Sequence, residues 1–316
     1  MLNFFSLIKN EQIKLYSRFA TWSMYIIMAA IILIAALIVF IFGEVDQQQY
    51  GDDWQTQLAT ETKDLKDSQE EMEFMAFDSE IAKNEYYLEN DIKPQPYDTW
   101  QFTLENAGLS MLISLFTIII AAGIISNEFR WGGTIKLLLI RPISRTKILF
   151  SKFVSVLLFS LTMLIALFVT SLLVGLIFFG VNGVNPNIVQ MGSDGIEEVS
   201  ILIEILTQYG LNVVTLIMMA TFAFMISTLF RSSAMAIGLA IFLMFTGNTI
   251  IGFLADYEWT KYILFANTNL GQYFGSGSPI IESMTLGFSV AVLIVYFVIF
   301  ILVSWLSFAK RDIAGH

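Results

Sequence analysis

Six long stretches without Asp, Glu, Lys or Arg constrain this chain more than any other feature of its sequence. A helix rises 1.5 Å per residue, so about 20 apolar residues cross a hydrocarbon core roughly 30 Å thick. A charged residue at the centre of such a helix costs about 2.5–3.5 kcal/mol on insertion. The stretches are Phe19–Gly43, Asn106–Asn127, Phe153–Ser193, Ile205–Phe230, Ser232–Ala255 and Ser283–Ala309.

These stretches predict an all-α integral membrane protein with six transmembrane helices. The third stretch contributes one span only, because its second part, from Val181 to Ser193, is polar and contains a proline. Composition agrees: 56% of the residues are hydrophobic and 14% are charged, whereas roughly a quarter are charged in soluble domains. The predicted spans are residues 21–43, 105–126, 151–180, 204–230, 232–255 and 285–309.

The basic residues predict that both termini lie in the cytoplasm, because Lys and Arg concentrate in cytoplasmic loops. In this orientation the inner segments hold 12 of the 17 Lys and Arg residues. The exterior segments are then residues 44–104, 181–203 and 256–284, and the cytoplasmic tail is 310–316. We expect a multi-pass protein of the cell membrane.

The negative net charge of −10 belongs mainly to residues 44–104, which hold sixteen Asp or Glu against four Lys. Apolar residues recur there at helical spacings, so we predict an extracellular helical insertion between the first two spans. Its carboxylates suit a cationic ligand, but they also suit a solvated surface that keeps an exported segment soluble. No calcium-binding loop pattern is present, and we name no metal site.

Two further segments flank the spans. Residues 1–20 predict an amphipathic helix at the membrane surface, with apolar residues between Lys9, Lys14 and Arg18. Residues 262–281 are free of charge but rich in Asn, Ser and Gly. Because lipid cannot satisfy such polar groups, we predict an exterior loop or a partly re-entrant segment.

The cytoplasmic segment 127–150 combines basic residues with a block of aliphatic ones. Two glycines, Gly132 and Gly133, should end the preceding helix; Pro142 should end a short amphipathic helix, and Ser144 can cap the next one. One interpretation is a surface helix whose cations meet anionic lipid headgroups. The other is a docking element for a cytoplasmic partner, and the residues themselves favour neither.

The segment Asn127–Lys152, NEFRWGGTIKLLLIRPISRTKILFSK, resembles the cytoplasmic loop of ABC-2 type transporter permeases. The six spans, the N-terminal helix and LFRSSAMAIG after the fourth span are also similar to that family, whereas the extra Gly132 departs from it. The resemblance implies a coupling helix that sits in a groove of a separate ATPase subunit. The coupling residues it implies are Glu128, Phe129, Arg130, Gly133, Thr134, Lys136, Leu137, Leu138, Ile140, Arg141, Pro142 and Arg145.

Several catalytic classes lack their residues in this sequence. There is no cysteine, the one histidine is His316, and no G-x-x-x-x-G-K-[ST] motif is present. We therefore expect a subunit that is not itself an enzyme and holds no cofactor. Its expected partners are a dimer of cytoplasmic ABC ATPase subunits, which would carry the ATP and magnesium, and a second permease chain, identical or homologous. Nucleic acid is not an expected partner.

Polar residues are sparse in the predicted spans, and no buried pair of charges there suggests a proton relay. Glu105 and Glu204 stand where the second and fourth spans begin, which the helix dipole favours. Intramembrane Asn and Thr side chains can line a substrate pathway or join helices to one another. The pathway candidates are Asn212, Thr215, Thr246 and Asn248.

Two hypotheses about function follow. The first is the permease subunit of an ABC-2 type exporter for a peptide antibiotic, a drug or another amphiphilic compound. The second is a membrane sensor or immunity protein that binds a cationic ligand through its acidic exterior segment. They differ in the region on which function depends: the first needs the 127–150 segment, and the second needs residues 44–104.

Overall fold

The structure is a computed structural model that describes residues 4–42, 51, 53–71, 77–130, 144–192, 195–230, 233–275 and 277–310. Within these residues the chain is predominantly helical, with one two-stranded antiparallel hairpin. The helices are α1 (Phe4–Tyr16), α2 (Phe19–Phe42), α3 (Trp54–Glu71), α4 (Asp78–Glu89), α5 (Thr99–Glu105), α6 (Ser110–Arg130), α7 (Arg145–Phe178), α8 (Ile201–Leu229), α9 (Ser233–Phe253), α10 (Leu264–Thr268) and α11 (Leu286–Ala309). The strands are β1 (Asn187–Gly192) and β2 (Gly195–Ser200).

Six helical segments of the described chain are long and apolar enough to cross a membrane, and the chain is a multi-pass membrane protein. The shortest of them has 21 residues, which at 1.5 Å per residue reaches across the hydrocarbon core. This confirms the prediction of an all-α membrane protein. The segments are Phe19–Phe42, Thr99–Ile125, Arg145–Phe178, Ile201–Leu229, Ser233–Phe253 and Leu286–Ala309.

Helix α8 forms the centre of the bundle. Over half of its span is buried inside the protein (56%), against 17% for α2 and for α11. It packs on α6, α7, α9 and α11, and its buried alanines Ala220 and Ala223 allow close approach. The hydroxyl of Ser227 donates to the carbonyl of Ala122 in α6 at 2.8 Å. The outer helices therefore present their apolar sides to lipid.

The two ends of the bundle carry different structures. We call the end formed by α1, the start of α7 and the end of α11 the basic end. We call the opposite end, formed by α3, α4, the start of α5 and the β-hairpin, the acidic end. There α3 packs along α4, and α4 contacts both strands. The structure thus has a helical pair where the sequence predicts a helical insertion.

The hairpin is a difference from the sequence prediction, which has only a loop over 181–203. Asn187 pairs with Ser200 and Gly192 with Gly195, so the strands close in register. The Ser200 hydroxyl then accepts from the backbone N–H of Ile203 and caps α8. A strand pair this short takes its support from α4 and the start of α8, on which it packs.

Between α9 and α11, the short helix α10 packs on α8, α9 and α11. The Phe265 ring lies against Gly247 so closely that a Cβ there would come within 2.5 Å of it. Asn267 is fully buried; its amide donates to the carbonyls of Lys261 and Ile263, and its oxygen accepts from the Ser289 hydroxyl. The buried Asn267 side chain is thus satisfied within the protein.

Candidate functional site

Helix α1 is fixed at the basic end by one face of its surface. Leu7, Glu11 and Leu15 recur every four residues and are buried, so they form a single stripe. The stripe packs against α7. A carboxylate in the middle of an otherwise apolar stripe requires a partner.

That partner is Lys152 of α7. Its Nζ lies 2.9 Å from Glu11 Oε2, and the side chains of the two residues are 1% and 9% exposed. Lys14 approaches the other carboxylate oxygen at 3.3 Å. Burial by itself raises the pKa of Glu11, but the attraction and hydrogen bond of Lys152, aided by Lys14, outweigh it and leave the pKa below its usual value.

Two hydrogen bonds extend the attachment around this ion pair. The Gln12 amide donates to the carbonyl of Ser155 in α7 at 2.9 Å. On the other side of α7, Arg145 Nη1 donates to the carbonyl of Ala309, the last residue of α11, at 3.1 Å. A cation at a helix C-terminus complements the helix dipole. The start of α7 is therefore joined to both α1 and α11.

The residues of the proposed coupling segment fall into three groups. Glu128, Phe129 and Arg130 form the last turn of α6, although their side chains lie outside the described residues. Arg145 is the first residue of α7, and Ser144 caps that helix by accepting from the backbone N–H of Lys147, as predicted. The remaining predicted residues lie outside the described part of the chain: Gly133, Thr134, Lys136, Leu137, Leu138, Ile140, Arg141 and Pro142.

The sequence reasoning missed the Glu11–Lys152 pair, which is separated by 141 residues. The sequence placed Lys152 only at the end of the basic segment 127–152, and it predicted no role for Glu11. A signal was present, because Glu11 lies four residues from both Leu7 and Leu15 on the apolar face. Which residue would pair with it could not be read from spacing within α1.

The predicted pathway residues do not form one described group. Asn212 donates to the carbonyl of Ala107 at 3.0 Å, and Thr215 donates to that of Thr268 at 2.8 Å. Thr246 instead donates to Phe242 within its own helix, and the side chain of Asn248 lies outside the described residues. Asn212 and Thr215 thus join α8 to its neighbours, while their role in transport stays a prediction.

Asn212 also lines a cavity of about 260 Å³ at the acidic end. A second cavity of about 470 Å³ adjoins it, because both are lined by Leu104 and Gln190. The polar residues that line the two cavities are the carboxylates of Glu61, Glu80, Glu105 and Glu204, the cation Lys83, the phenol of Tyr87, and the amides of Asn84, Gln95, Gln101, Asn187, Gln190, Gln208 and Asn212.

Hydrogen bonds orient two of these carboxylates. The Tyr97 hydroxyl donates to Glu105 at 2.6 Å, and the Gln208 amide donates to Glu204 at 2.8 Å. Burial, followed by the neighbouring Glu105 carboxylate, raises the pKa of Tyr97. Glu204 lies in the first turn of α8, as predicted. Glu105 ends α5 instead of beginning a helix, so the helix-dipole interpretation of that residue is wrong.

The described residues contain no cluster of side chains that could bind a metal ion. Among them, no three His, Cys, Asp or Glu residues lie close enough together to hold a metal ion. The cavities at the acidic end instead combine carboxylates with amides, which suits hydrogen bonding to a polar or cationic molecule.

Comparison with known proteins gives a family and two relatives. The family described as "Protein of unknown function (DUF2705)" matches residues 70–314. The chain is similar to the uncharacterized protein YhcI of Bacillus subtilis, with 42% identity over the full length of both chains. It is also similar to the uncharacterized membrane protein YdbK of the same organism, with 35% identity over 65% of this chain and 79% of YdbK.

Proposed function

We propose that this chain, which belongs to the DUF2705 family, is the permease subunit of an ATP-driven exporter whose ATPase is a separate chain. The observation that carries the proposal is the segment Asn127–Lys152, with its similarity to the coupling loop of ABC-2 type permeases. A basic loop that also carries leucine and isoleucine side chains can bind in a groove on a cytoplasmic partner. In this proposal the basic end is cytoplasmic and the acidic end is extracellular, in accord with the distribution of Lys and Arg.

The contacts at the basic end support a mechanical role for the segment. It connects α6 to α7, and α7 is joined to α1 by the buried Glu11–Lys152 pair and to α11 by Arg145. A displacement of the loop by an ATPase would therefore act on four helices together. Because α6 and α7 both pack on the central helix α8, the displacement would reach the predicted pathway residues Asn212 and Thr215.

The experiment is copurification of the full chain from membranes of its native host. Changing Leu138 and Ile140 to Asp should abolish recovery of a P-loop ATPase, identified by mass spectrometry, and of Mg-ATP hydrolysis in the purified fraction. The matched control is Val184→Asp, which adds a carboxylate at an exposed apolar position of the acidic end and should leave both unchanged. An ATPase retained by the double variant would contradict docking at this segment.

A purified chain that transports in vesicles without any nucleotide-hydrolysing companion would contradict the whole proposal. A genomic observation also bears on it. We expect a reading frame beside this one to encode a P-loop ATPase, because the chain has no phosphate-binding loop of its own.

The cavities at the acidic end favour a second candidate function, a sensor or immunity protein that binds a cationic ligand without transporting it. Glu61 and Glu80 belong to α3 and α4, so the acidic pair of helices contributes directly to the larger cavity. This function predicts that Glu61→Gln with Glu80→Gln abolishes activity while Leu138→Asp has no effect. The permease proposal predicts the reverse for Leu138→Asp, so the two variants separate the candidates.

A further inference from the structure

A crevice at the basic end is lined by charged residues in and just after α1 and by mainly apolar residues of α2, α6 and α9. It lies between α1 and α2 on one side and α6 and α9 on the other, with a volume of about 240 Å³, equal to roughly eight water molecules in the liquid. Lys14 and Arg18 stand at its polar part, and Met24, Ile120 and Ile237 are among its apolar lining residues. Among the described residues, none that lines the crevice belongs to the proposed coupling segment 127–150.

The charges at the polar part favour an anion. Lys14 and Arg18 are exposed. The one carboxylate among the described lining residues, that of Glu11, has Lys152 at 2.9 Å and Lys14 at 3.3 Å. Lys14, Lys152 and Arg18 therefore outnumber this carboxylate, and a net positive charge remains. Ser233 also lines the crevice and is the first residue of α9, a helix of 21 residues. The N-terminus of such a helix carries a partial positive charge that adds to the two cations.

The apolar part excludes a small hydrated anion as the whole ligand. Apart from the charged residues, the lining consists mainly of aliphatic and methionine side chains on four helices, and it includes Gly123 of α6. Thr21 also lines the crevice, but its hydroxyl already donates to the carbonyl of Leu15 at 2.6 Å. The lining therefore matches a molecule with an anionic head and a hydrocarbon chain.

From this arrangement we infer that the crevice binds an anionic phospholipid, with its phosphate between Lys14 and Arg18 and the upper part of one acyl chain along α6 and α9. Helix α1 is amphipathic and its exposed residues include Phe5 and Ile13, so it lies where lipid headgroups are available. The bound lipid would fill the gap between α2 and the α6–α9 pair. This inference concerns lipid recognition and does not depend on an ATPase partner.

The test uses the full chain in nanodiscs of phosphatidylcholine with a small fraction of photoactivatable phosphatidylglycerol, whose diazirine is on the acyl chain. Cross-links should map to residues 119–124 and 233–237. Each Lys or Arg near an anionic headgroup changes binding by about fivefold. The variant Lys14→Gln with Arg18→Gln should therefore lower half-saturating affinity by roughly 25-fold.

Two matched changes keep the test specific. Lys9→Gln removes an exposed cation of α1 that does not line the crevice, and it should change the extent of labelling by less than about twofold. Gly123→Leu fills the apolar part and should abolish labelling at 119–124 while leaving thermal unfolding close to that of the parent. If the double variant does not fold, the single Arg18→Gln variant replaces it in the test. We expect this variant to bind phosphatidylglycerol about fivefold more weakly.

Three results would overturn the inference. The first is equal labelling by the phosphatidylcholine analogue at the same positions. The second is unchanged phosphatidylglycerol affinity in the folded Lys14→Gln, Arg18→Gln variant. The third is complete loss of labelling in excess inorganic phosphate, because the site would then select a free anion and the acyl chain would contribute nothing.

Discussion

The two ends of this molecule contain the same kind of ion pair in opposite surroundings. At the basic end, Lys152 and Glu11 meet at 2.9 Å with side chains that are 1% and 9% exposed. At the acidic end, Lys66 and Glu85 meet at 2.7 Å between α3 and α4 with side chains that are 51% and 47% exposed. The distances are nearly equal. Any difference between the contributions of the two pairs to the free energy of unfolding must therefore come from their solvation.

The difference in solvation affects how rigidly each end of the molecule is held. A buried pair that also has neighbouring hydrogen bonds fixes the geometry of α1 on α7, as the proposed transmission of displacement from an ATPase requires. The exposed contacts of α3 and α4, which include Gln69 to Asp78 at 2.8 Å, can exchange with water at little cost. The acidic end can therefore adapt to a ligand more easily than the basic end can.

Removing one member of the buried pair should produce the largest effect. Lys152→Met leaves the Glu11 carboxylate buried without its main partner, which costs about 3–5 kcal/mol. We expect a correspondingly lower thermal midpoint in detergent, whereas Lys147→Met, at an exposed cation of the same helix, should change it little.

The double variant Glu11→Leu with Lys152→Met sharpens this prediction. Replacing a whole buried pair by apolar residues is often neutral or stabilising, so most of the lost stability should return. A double variant as unstable as Lys152→Met alone would show that packing around Lys152, and not the ion pair, holds α1.

The pH dependence of stability should identify Glu11 as the group responsible. Its pKa is lowered below 4.5 in the folded protein, so its contribution is full above that value and disappears as the pH falls through the lower folded pKa. The stability difference between the parent and Glu11→Gln should therefore be large at neutral pH and vanish in acid. A constant difference across this range, measured by thermal unfolding, would assign the effect to another cause.

The sequence predicted the parts of this molecule that depend on local pattern. The spans followed from charge-free length, and the Ser144 cap followed from a proline and a serine near a helix start. Predictions that depend on contacts between distant segments were less complete. The Glu11–Lys152 pair joins residues 141 positions apart, and the hairpin at 187–200 depends on packing against α4 that strand propensity does not reveal.

In the candidate site, too, local features could be predicted from the sequence, whereas contacts between distant residues could not. The type and spacing of residues in 127–150 were enough to propose a coupling element. For the pathway residues, the sequence could not distinguish Asn212 and Thr215, which bond to carbonyls of other segments, from Thr246, which bonds within its own helix. Polar residues in a span look alike until their neighbours are known.

Substitution of these pathway candidates should produce effects of intermediate size. Asn212→Leu and Thr215→Val each remove a hydrogen bond between segments, which costs roughly 0.5–1.5 kcal/mol. Thr246→Val is the matched control, because its hydroxyl shares a carbonyl already used by the helix, and it should cost less. Transport by each variant, measured alongside thermal unfolding, decides their role: stability lost without any change in transport would contradict a place for Asn212 and Thr215 in the substrate pathway.

The exposed pair at the acidic end should give the smallest effect. Lys66→Ala and Glu85→Ala remove an interaction that is worth about 0–1 kcal/mol between solvated side chains, and a Debye length of about 3 Å in 1 M salt should screen what remains. We therefore expect the coupling energy from a double-mutant cycle at this pair to be small in dilute buffer and absent in 1 M salt. The same cycle at Glu11 and Lys152 should keep most of its coupling energy in high salt, because the ions that screen exposed charges do not enter a buried contact. Equal salt sensitivity at the two pairs would remove the distinction between the ends. It would mean that water reaches the Glu11–Lys152 contact and that α1 is held mainly by its apolar stripe and by the Gln12 hydrogen bond.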